Sequence, residues 1–353
     1  MSTDASNGEE SGWNKDIELQ PSLSKSRAPK PSKGSDGLVI ALTGATGFLG
    51  KKLLQQLVQI PQIATIYCIA VRQPQSLFFI SASTPKIVVY EGELTLPNVG
   101  LSNEDARLVF SRADIIIHNG AKVSFAEPYG AMRKENVEST RELVRLSLEH
   151  GHLSQFHFLS TSGLSTVLGQ DIYEEPACST PPAGPTAQGY IFTKLACELY
   201  LEEVSKKSGL HVTIYRPTII IGPDAPRLDV MHSVLHYSSK ISAVPQLTAL
   251  DGVLQFVEVN QVAEAIVSEI IQNLAQRAPV EYRNLSGEDV EIDQLGSFVL
   301  KRSGVDVSSI PLTEWIEKAR KAGLAPEIAG FLGAVHARGQ KLKLNRLCKG
   351  TSH

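Results

Sequence analysis

A tyrosine and a lysine four residues apart are the pair of side chains whose spacing most directly indicates chemistry. Tyr190 and Lys194 begin and end the segment Tyr190-Ile191-Phe192-Thr193-Lys194, and on a helix this spacing puts both on one face. A free tyrosine has a pKa of roughly 10, but a nearby ammonium favours the phenolate and lowers that value. Lowering the pKa to about 7 requires about 4 kcal/mol, which a close cation in a dry site supplies. The pair therefore predicts a general acid–base site, although the same spacing also occurs by chance.

Three glycines at intervals of three indicate a second kind of site. Gly44, Gly47 and Gly50 follow the apolar run 38–42 and precede the amphipathic segment 51–58. This order of strand, glycine turn and helix is the context that a dinucleotide-binding loop requires. Glycine lets the backbone approach the pyrophosphate, and the start of the helix offers free N–H groups and a partial positive charge. The loop therefore predicts nucleotide binding, with a purely structural turn as the alternative.

The elements that must position these two sites alternate between strand and helix from residue 37 onward. Helical patterns lie between most of the short apolar runs, including a long one from about 129 to 149. The alternation predicts an α/β fold of the Rossmann type, a doubly wound parallel sheet with helices on both faces. Short continuous apolar runs are typical of strands that are covered on both faces. The predicted strands are residues 38–42, 64–71, 86–90, 113–118, 155–160 and 211–215.

The chain is expected to divide into three parts. Residues 1–36 are rich in Ser, Lys and Pro and predict a disordered tail or linker, in which Trp13 and Ile17 can pin a short turn to the domain surface. Residues 37–223 form the predicted nucleotide-binding Rossmann domain. A smaller, mostly helical substrate lobe is predicted for residues 224–353.

Within the predicted lobe, one segment is expected to return to the Rossmann domain. Residues 253–275 contain a predicted strand, at 253–259, and then a helix. The last dozen residues are expected to fray. The other helices predicted for the lobe cover residues 229–239, 288–302, 312–322 and 325–336.

The choice of cofactor is indicated by a missing acid. A dinucleotide with a free ribose 2′-OH usually meets an acidic side chain about 20 residues past the glycine loop. No acidic residue occurs from Ile63 through Tyr90. Arg72 follows the second predicted strand, where a guanidinium can bind a 2′-phosphate by charge-assisted hydrogen bonds. The predicted cofactor is NADPH; the alternative for Arg72 is a solvated surface side chain.

Composition and charge argue against several other classes of protein. The net charge of the 353 residues is −3, with no basic patch dense enough to indicate nucleic acid. No apolar run approaches the ~20 residues that span a membrane, and the first residues lack the apolar core of a secretory signal. The four cysteines show no disulfide or metal-type spacing. We therefore expect a cytoplasmic enzyme without nucleic-acid or membrane partners.

Taken together, the glycine loop and the Tyr-x-x-x-Lys pair resemble the extended short-chain dehydrogenase/reductase superfamily. Over roughly residues 37–335 the chain resembles one branch of it. That branch consists of the thioester reductase domains that terminate fungal nonribosomal peptide synthetases and polyketide–peptide hybrid synthases. The stretches that carry this second resemblance are residues 66–72, 89–94, 118–121, 136–140, 215–222 and 229–231.

The resemblance implies an activity and a set of site residues. The activity is NADPH-dependent reduction of an acyl or peptidyl thioester, presented by the phosphopantetheine arm of a carrier protein, to an aldehyde. A second cycle on the aldehyde would give an alcohol. The implied catalytic residues are Thr161, Tyr190 and Lys194. Glu93 stands where the family usually has aspartate against the adenine. The implied cofactor contacts are Gly44, Thr46, Gly47, Phe48, Leu49, Gly50, Arg72, Glu93, Leu94, Asn119, Gly120, Ala121, Tyr190 and Lys194.

Several roles stay open at this point. The Thr161 hydroxyl meets a substrate carbonyl or caps the next turn. Asn136 supports the active-site lysine through water or is a helix-surface amide, and Arg216 contacts substrate or is structural. His118 and His157 are expected to be packing or turn residues.

Three other functions are compatible with the fold. The first is a free-standing reductase of a small aldehyde or ketone. The second is a Dieckmann-type cyclase without redox chemistry, in which the catalytic tyrosine is often lost. The third is a nucleotide-sensing scaffold. The presence of both Tyr190 and Lys194 favours a reductase.

Overall fold

The computed structural model describes residues 12–18, 37–77, 84–124, 127–150, 155–185, 188–272, 278–337 and 341–352. Its strands are β1 Leu38–Thr43, β2 Ile63–Val71, β3 Ile87–Glu91, β4 Ile115–His118, β5 Gln155–Leu159, β6 His211–Pro217, β7 Ile219–Ile221, β8 Ala243–Gln246, β9 Leu250–Glu258, β10 Val280–Leu285, β11 Glu288–Glu291, β12 Ser308–Pro311 and β13 Leu342–Leu344.

The helices that follow residue 37 connect these strands. None of the helices in the described ranges is long and apolar enough to cross a membrane. A π-helical turn, Lys134–Glu138, joins α3 to α4. The α-helices are α1 Phe48–Leu57, α2 Asn103–Arg112, α3 Tyr129–Arg133, α4 Ser139–His150, α5 Leu164–Leu168, α6 Gly189–Ser208, α7 Val230–Ile241, α8 Val259–Gln272, α9 Leu295–Ser303, α10 Leu312–Lys321 and α11 Pro326–Ala337.

A seven-stranded sheet in the order β3-β2-β1-β4-β5-β6-β10 forms the centre of the molecule. Every neighbouring pair of strands in it is parallel. Alternate residues of β1 enter two cores. Val39 and Ala41 pack in the core that includes α4 and α6, and Ile40 and Leu42 in the core that includes α1 and α8. Because helices cover both faces, the strands are apolar throughout, and the predicted doubly wound sheet is confirmed.

The edge strand β10 was not predicted from the sequence. It pairs parallel with β6 and reaches the sheet only after the chain has passed through the smaller lobe. Glu281, Arg283 and Asn284 interrupt its apolar pattern, and of its six residues only Tyr282 and Asn284 are buried. An edge strand has a partner on one side alone, so it tolerates the charged side chains that hide it from an apolar-run search.

The smaller lobe contains the expected helices and also two sheets, which the sequence did not predict. In the first sheet β9 pairs with β7, β11 and β13, and in the second β8 pairs with β12. Phe256 of β9 stacks on Phe298 of α9 with ring centroids 4.6 Å apart. Trp315 of α10 is fully buried, and its indole N–H donates to the carbonyl oxygen of Ala243 at 2.9 Å. The lobe therefore has its own apolar core.

Two expectations for this lobe need correction. The strand expected at 253–259 is part of β9 and belongs to the smaller sheet, so it does not return to the seven-stranded sheet. Within the returning segment 253–275, the helix α8 is what packs on the Rossmann part, where Val262 joins the core of α1. The helix expected over 288–302 begins instead with β11, in which only Val290 is buried. Backbone pairing with β9 decides that strand, and its charged side chains gave no sign of it.

The helix of residues 12–17 is docked on the domain, as expected for a turn pinned by Trp13 and Ile17, whereas the tail predicted for the rest of 1–36 lies outside the described residues. Trp13 is fully buried, with its ring centroid 5.7 Å from that of Phe192 on α6. Asp16 is also fully buried and forms an ion pair with Arg133 at 2.6 Å. The anticipated surface turn is thus a buried anchor that includes an ion pair.

Residues 341–352 are ordered by pairing, whereas the sequence predicted that the last dozen residues fray. β13 pairs with β9, and Leu347 forms a parallel bridge with Ile172. Both of these side chains are buried. The side-chain amide of Asn284 donates to the carbonyl oxygens of Ile172 and Cys348 at 2.9 and 2.6 Å. A few apolar residues and a series of hydrogen bonds fix this segment, a signal too weak to be seen in composition.

Candidate active site

The glycine loop connects β1 to α1 at the carboxyl edge of the sheet. Gly44 has φ +68°, and a Cβ there would lie 2.7 Å from the backbone of Gly120. A Cβ at Gly50 would lie 1.9 Å from the carbonyl oxygen of Gly44. No side chain caps the start of α1 at Gly47, so its first N–H groups face outward without an intrahelical partner. The result is a side-chain-free cradle beside a helix N-terminus, which suits a pyrophosphate.

Other predicted residues of the loop differ in what they can offer a ligand. Thr46 is half-buried and Gly47 is exposed. Leu49 is buried in the core of α1, so only its backbone N–H can contact a ligand. The ring of Phe48 packs next to Gly222, directly after β7, because a Cβ at Gly222 would lie 3.1 Å from it. The loop thus presents mainly backbone, as the glycine spacing predicted.

The end of β4 closes the second side of the cradle. The side-chain amide of Asn119 donates to the carbonyl oxygen of Gly44 at 3.1 Å. The N–H of Gly120 donates to the hydroxyl of Thr43 at 2.9 Å. A Cβ at Gly120 would meet Leu94 at 3.2 Å. The structure therefore brings together the predicted residues 44, 94, 119 and 120 where β1 lies between β2 and β4, the topological switch point at which such sheets bind ligands.

Arg72 and Glu93 lie after β2 and β3, further along the same edge. Both side chains are exposed. Glu93 accepts a weak hydrogen bond from the hydroxyl of Thr95 at 3.4 Å, and Arg72 forms no ion pair with the residues that the structure describes. The side chains of Arg72 and Glu93 are therefore accessible at the sheet edge. Ala121, which follows β4, is half-buried.

Tyr190 and Lys194 lie in the first turns of α6, next to the carboxyl end of β5. The Lys194 ammonium donates to the carbonyl oxygen of Leu159 at 2.6 Å. It lies 5.9 Å from the ring centroid of Tyr190 and 4.6 Å from that of Phe158. At Gly189 a Cβ would lie 2.4 Å from the carbonyl oxygen of Glu127, so α6 begins tightly against the chain before α3. The predicted pair therefore shares one face of a helix.

Burial controls the protonation of this pair. Burial lowers the pKa of the Lys194 ammonium to about 8, against smaller opposing effects of Cys197 and Glu198. Burial, with a smaller contribution from Cys197, raises the pKa of Tyr190 above its ordinary value. The expected lowering of the tyrosine pKa by the lysine is therefore not seen. The phenol keeps its proton at neutral pH and is a proton donor.

Thr161 follows β5 and caps the next turn, one of the two roles left open for it. Its hydroxyl oxygen accepts a hydrogen bond from the N–H of Gly163 at 3.1 Å. The hydroxyl proton is still available for donation, because a threonine hydroxyl both accepts and donates. The neighbouring Ser160 is buried, 4% exposed, and has no hydrogen-bond partner for its hydroxyl among the described residues.

Asn136 is a buried link between two backbone segments, and the helix-surface alternative is wrong. It lies in the π-helical turn and is 3% exposed. Its side chain accepts from the N–H of Lys122 at 2.8 Å and donates to the carbonyl oxygen of Lys122 at 2.9 Å. The same amide group lies 3.0 Å from the hydroxyl of Thr193 on α6. This residue therefore fixes the chain after β4 against the helix of Tyr190.

A buried ion pair behind α6 was missed in the sequence. Arg216, which ends β6 with Pro217, is fully buried and lies 2.7 Å from Glu198. It also donates to the carbonyl oxygens of Tyr173 and Glu175 at 2.8 and 3.0 Å. Its role is structural, which settles the alternatives left open for it. The sequence signal that could have revealed this ion pair was Glu198, a carboxylate four residues after Lys194 in a largely apolar helix.

Metal chemistry has no candidate centre in the part of the chain that the structure describes, because no group of three potential ligands is found there.

An NAD-binding family model, described as Male sterility protein, matches residues 42–266. The chain belongs to the Male sterility protein family.

Relatives of this family member extend the similarity through the smaller lobe. The hybrid PKS-NRPS synthetase ucsA of Acremonium sp. is 40% identical over 96% of this chain, which spans 9% of that synthetase. The terminal R domain from the myxalamid PKS-NRPS biosynthetic pathway is 26% identical, with a TM-score of 0.76 over 96% of this chain and 89% of that one. The PhqB reductase domain of Penicillium fellutanum shares the fold at 20% identity, with a TM-score of 0.67 over 95% and 88%.

The predicted resemblance to the terminal reductase domains of fungal hybrid synthetases is therefore confirmed. This male sterility family protein is an oxidoreductase of the short-chain dehydrogenase/reductase type that uses a nicotinamide cofactor.

Proposed function

We propose that this protein is an NADPH-dependent reductase that releases carrier-bound acyl or peptidyl thioesters as aldehydes. The observation that supports this most directly is similarity to a terminal R domain along 96% of the chain. That similarity includes the smaller lobe as well as the nucleotide-binding half. Tyr190 and Lys194, the proposed catalytic pair, are both present, which favours a reductase over a cyclase.

Tyr190 is the proposed proton donor. Because burial raises its pKa, the phenol is protonated at neutral pH and can protonate a carbonyl oxygen on which negative charge develops. The hydroxyl of Thr161, already oriented by the N–H of Gly163, is the proposed second donor to that oxygen. The Lys194 ammonium, 5.9 Å from the tyrosine ring, stabilises the phenolate once the proton has left.

The reaction balances with one thioester and one reduced cofactor. When bound, NADPH supplies the hydride that the carbonyl carbon accepts. Tyr190 gives its proton to the carbonyl oxygen, and the carbon–sulfur bond then breaks. The products are an aldehyde, the carrier thiol and the oxidised cofactor, with one proton taken up from solvent. A second cycle on the aldehyde would give an alcohol.

The residues present fit a phosphorylated dinucleotide. The cradle has no room for a Cβ at Gly44 or Gly50 and only tight room at Gly120, where it would lie 3.1 Å from the Thr43 hydroxyl, and we assign the pyrophosphate to it. We assign the 2′-phosphate to Arg72, because this guanidinium is exposed at the sheet edge and no acid occurs from residue 63 to 90. Glu93 and Leu94 are the proposed adenine contacts, and Asn119, Gly120 and Ala121 the proposed contacts of the nicotinamide ribose.

The proposed function is tested by following NADPH consumption with acyl-pantetheine thioesters and with the matched free aldehydes. We expect oxidation of NADPH with the thioesters and an aldehyde product trapped by hydrazine. The control variant is Tyr190→Phe, which keeps the ring and removes only the phenolic proton.

Three results would contradict the proposal. Turnover of free aldehydes without turnover of thioesters would indicate a free-standing reductase of small carbonyl compounds. Product formed without NADPH consumption would indicate the Dieckmann-type cyclase. Equal use of NADH would remove the role assigned to Arg72.

A further inference from the structure

A continuous series of buried hydrogen bonds crosses the core from the glycine loop to the helix of Tyr190, and His118 lies at its centre. His118 ends β4 and is 1% exposed. Its Nδ1 lies 2.8 Å from the hydroxyl of Thr43, the residue directly before Gly44. Its Nε2 lies 3.0 Å from the hydroxyl of Thr140 at the start of α4. The imidazole therefore bridges the end of β1 and the start of α4 through two hydroxyl groups.

The hydrogen-bond partners assign the direction of every bond in this series. The shortest contact of the Thr140 hydroxyl is the carbonyl oxygen of Asn136, at 2.7 Å, and a carbonyl only accepts. Thr140 thus donates there and accepts from Nε2–H of His118. The hydroxyl of Thr43 accepts from the N–H of Gly120 and is left with its proton for Nδ1. This arrangement matches a neutral imidazole with its proton on Nε2.

Burial makes that neutral form the stable one. Removal from water, together with the nearby Lys194 ammonium, lowers the pKa of His118 to about 3. A neutral imidazole donates at one nitrogen and accepts at the other, which is what the two hydroxyls require. His118 is therefore unsuited to proton transfer, and its fixed donor and acceptor suit it to holding two elements in register.

The far end of the series reaches the catalytic helix. The Asn136 side chain donates to the hydroxyl of Thr193 at 3.0 Å, and that hydroxyl donates to the carbonyl oxygen of Tyr190 at 2.7 Å. The near end fixes Gly120 through Thr43. The cradle and the first turn of α6 are thus joined through the protein interior by hydrogen bonds, with Asn136 linking the bond at its backbone carbonyl to the bond at its side-chain amide.

We infer that His118 is a positioning residue that sets the distance and angle between the cofactor cradle and the helix of Tyr190. The inference rests on the proposed function for the role of Tyr190 as proton donor. A small misplacement between a bound cofactor and the catalytic groups lowers the rate of the chemical step more than it weakens binding. His118 would therefore act on kcat without touching the substrate.

The test uses variants that interrupt the series at two neighbouring points. We expect His118→Gln and Thr140→Val each to lower kcat by about tenfold or more in folded protein, with a smaller change in KM. The double variant should be no slower than the slower single variant, because both remove the same connection. Thr140→Ser, which keeps the hydroxyl, should restore kcat.

His157 offers a matched control on the neighbouring strand. It is also fully buried, and its Nδ1 lies 2.9 Å from the phenol of Tyr215, away from the series. We expect His157→Gln to lower the free energy of unfolding without the loss of kcat seen for His118→Gln. A purely structural role for His118 predicts that the two variants behave alike, which would overturn the inference, as would additive losses in the double variant.

A second measurement does not depend on turnover or on the folding of a variant. In ¹⁵N-labelled wild-type protein, the His118 side chain should show the Nε2–H tautomer alone from pH 5 to pH 8. An Nδ1–H tautomer or titration in that range would overturn the inference. If the wild type reduces neither thioesters nor aldehydes, the proposed function fails, while the tautomer and non-additive losses of NADPH affinity in the same variants still test the positioning role.

Discussion

The buried ammonium of Lys194 should make the folded protein less stable than the same fold without that charge. Burial lowers its pKa from 10.5 to about 8, and at about 1.4 kcal/mol per pH unit this gap costs about 3 kcal/mol at pH 7. Between these two pKa values the unfolded chain binds more protons than the folded chain. Stability contributed by this residue therefore rises with pH across that window.

The variant Lys194→Met removes the charge and keeps most of the side-chain volume. It also leaves the carbonyl oxygen of Leu159 without its donor, which costs about 1–3 kcal/mol independently of pH. At pH 7 the two effects oppose each other, so the variant should be about as stable as the wild type, or more so. About 2 kcal/mol of its relative advantage should disappear between pH 7 and pH 9.5, because the wild-type lysine loses its charge there.

The assay is denaturant unfolding of both proteins at pH 7 and pH 9.5, followed by circular dichroism. Lys206→Met, at an exposed position of the same helix, controls for the loss of a lysine side chain. Reduction by Lys194→Met should be lost at both pH values, so that stability and activity separate. If Lys194→Met differs from wild type by the same free energy at both pH values, the buried charge carries no cost and the reasoning is refuted.

Three further substitutions address the proton donor, the cofactor and the N-terminal helix. Tyr190→Phe should lower kcat by roughly 10²–10⁴-fold with cofactor affinity retained, measured by stopped-flow and by NADPH fluorescence; near-normal reduction would mean that another acid operates. Arg72→Asp should weaken NADPH binding by about 10–100-fold and reverse the preference over NADH in steady-state kinetics; an unchanged ratio of kcat/KM values would contradict the assignment. Trp13→Ala should lower the free energy of unfolding by about 3–5 kcal/mol in denaturant titrations, because the ring is fully buried and its N–H donates to the carbonyl oxygen of Pro182 at 3.0 Å. A loss below about 1 kcal/mol would mean that this helix is only loosely attached.

The parts of the site that could be predicted are those whose geometry is local. The glycine spacing at Gly44 and Gly50 predicts close backbone approach. In the structure, a Cβ added at these residues would lie only 2.7 and 1.9 Å from other backbone atoms. The spacing of Tyr190 and Lys194 requires a shared helix face, which α6 provides.

The parts that could not be predicted depend on partners far along the chain. Val290 is the single buried residue of β11, so only its pairing with β9 makes that segment a strand. The role of Asn136 stayed open between support of the lysine and a helix-surface amide, because nothing local shows that Lys122 and Thr193 surround it. The pKa of Tyr190 was expected to fall because the lysine was visible in the sequence, whereas the burial that raises it was not.

The pairing of residues 342–350 bears on the order in which the molecule can be built. Asn345 donates to the carbonyl oxygen of Ser165, 180 positions earlier, and the N–H of Arg346 donates to Asp171, 175 positions earlier. Contacts between residues this far apart form late, because closing such long loops costs entropy before any contact forms. The cradle uses strands from the first third of the chain and can assemble early during synthesis. The segment that follows Thr161 can complete its hydrogen bonds only after residues 342–350 have been synthesised. We therefore expect a nascent protein that can hold its cofactor well before it can turn over a substrate.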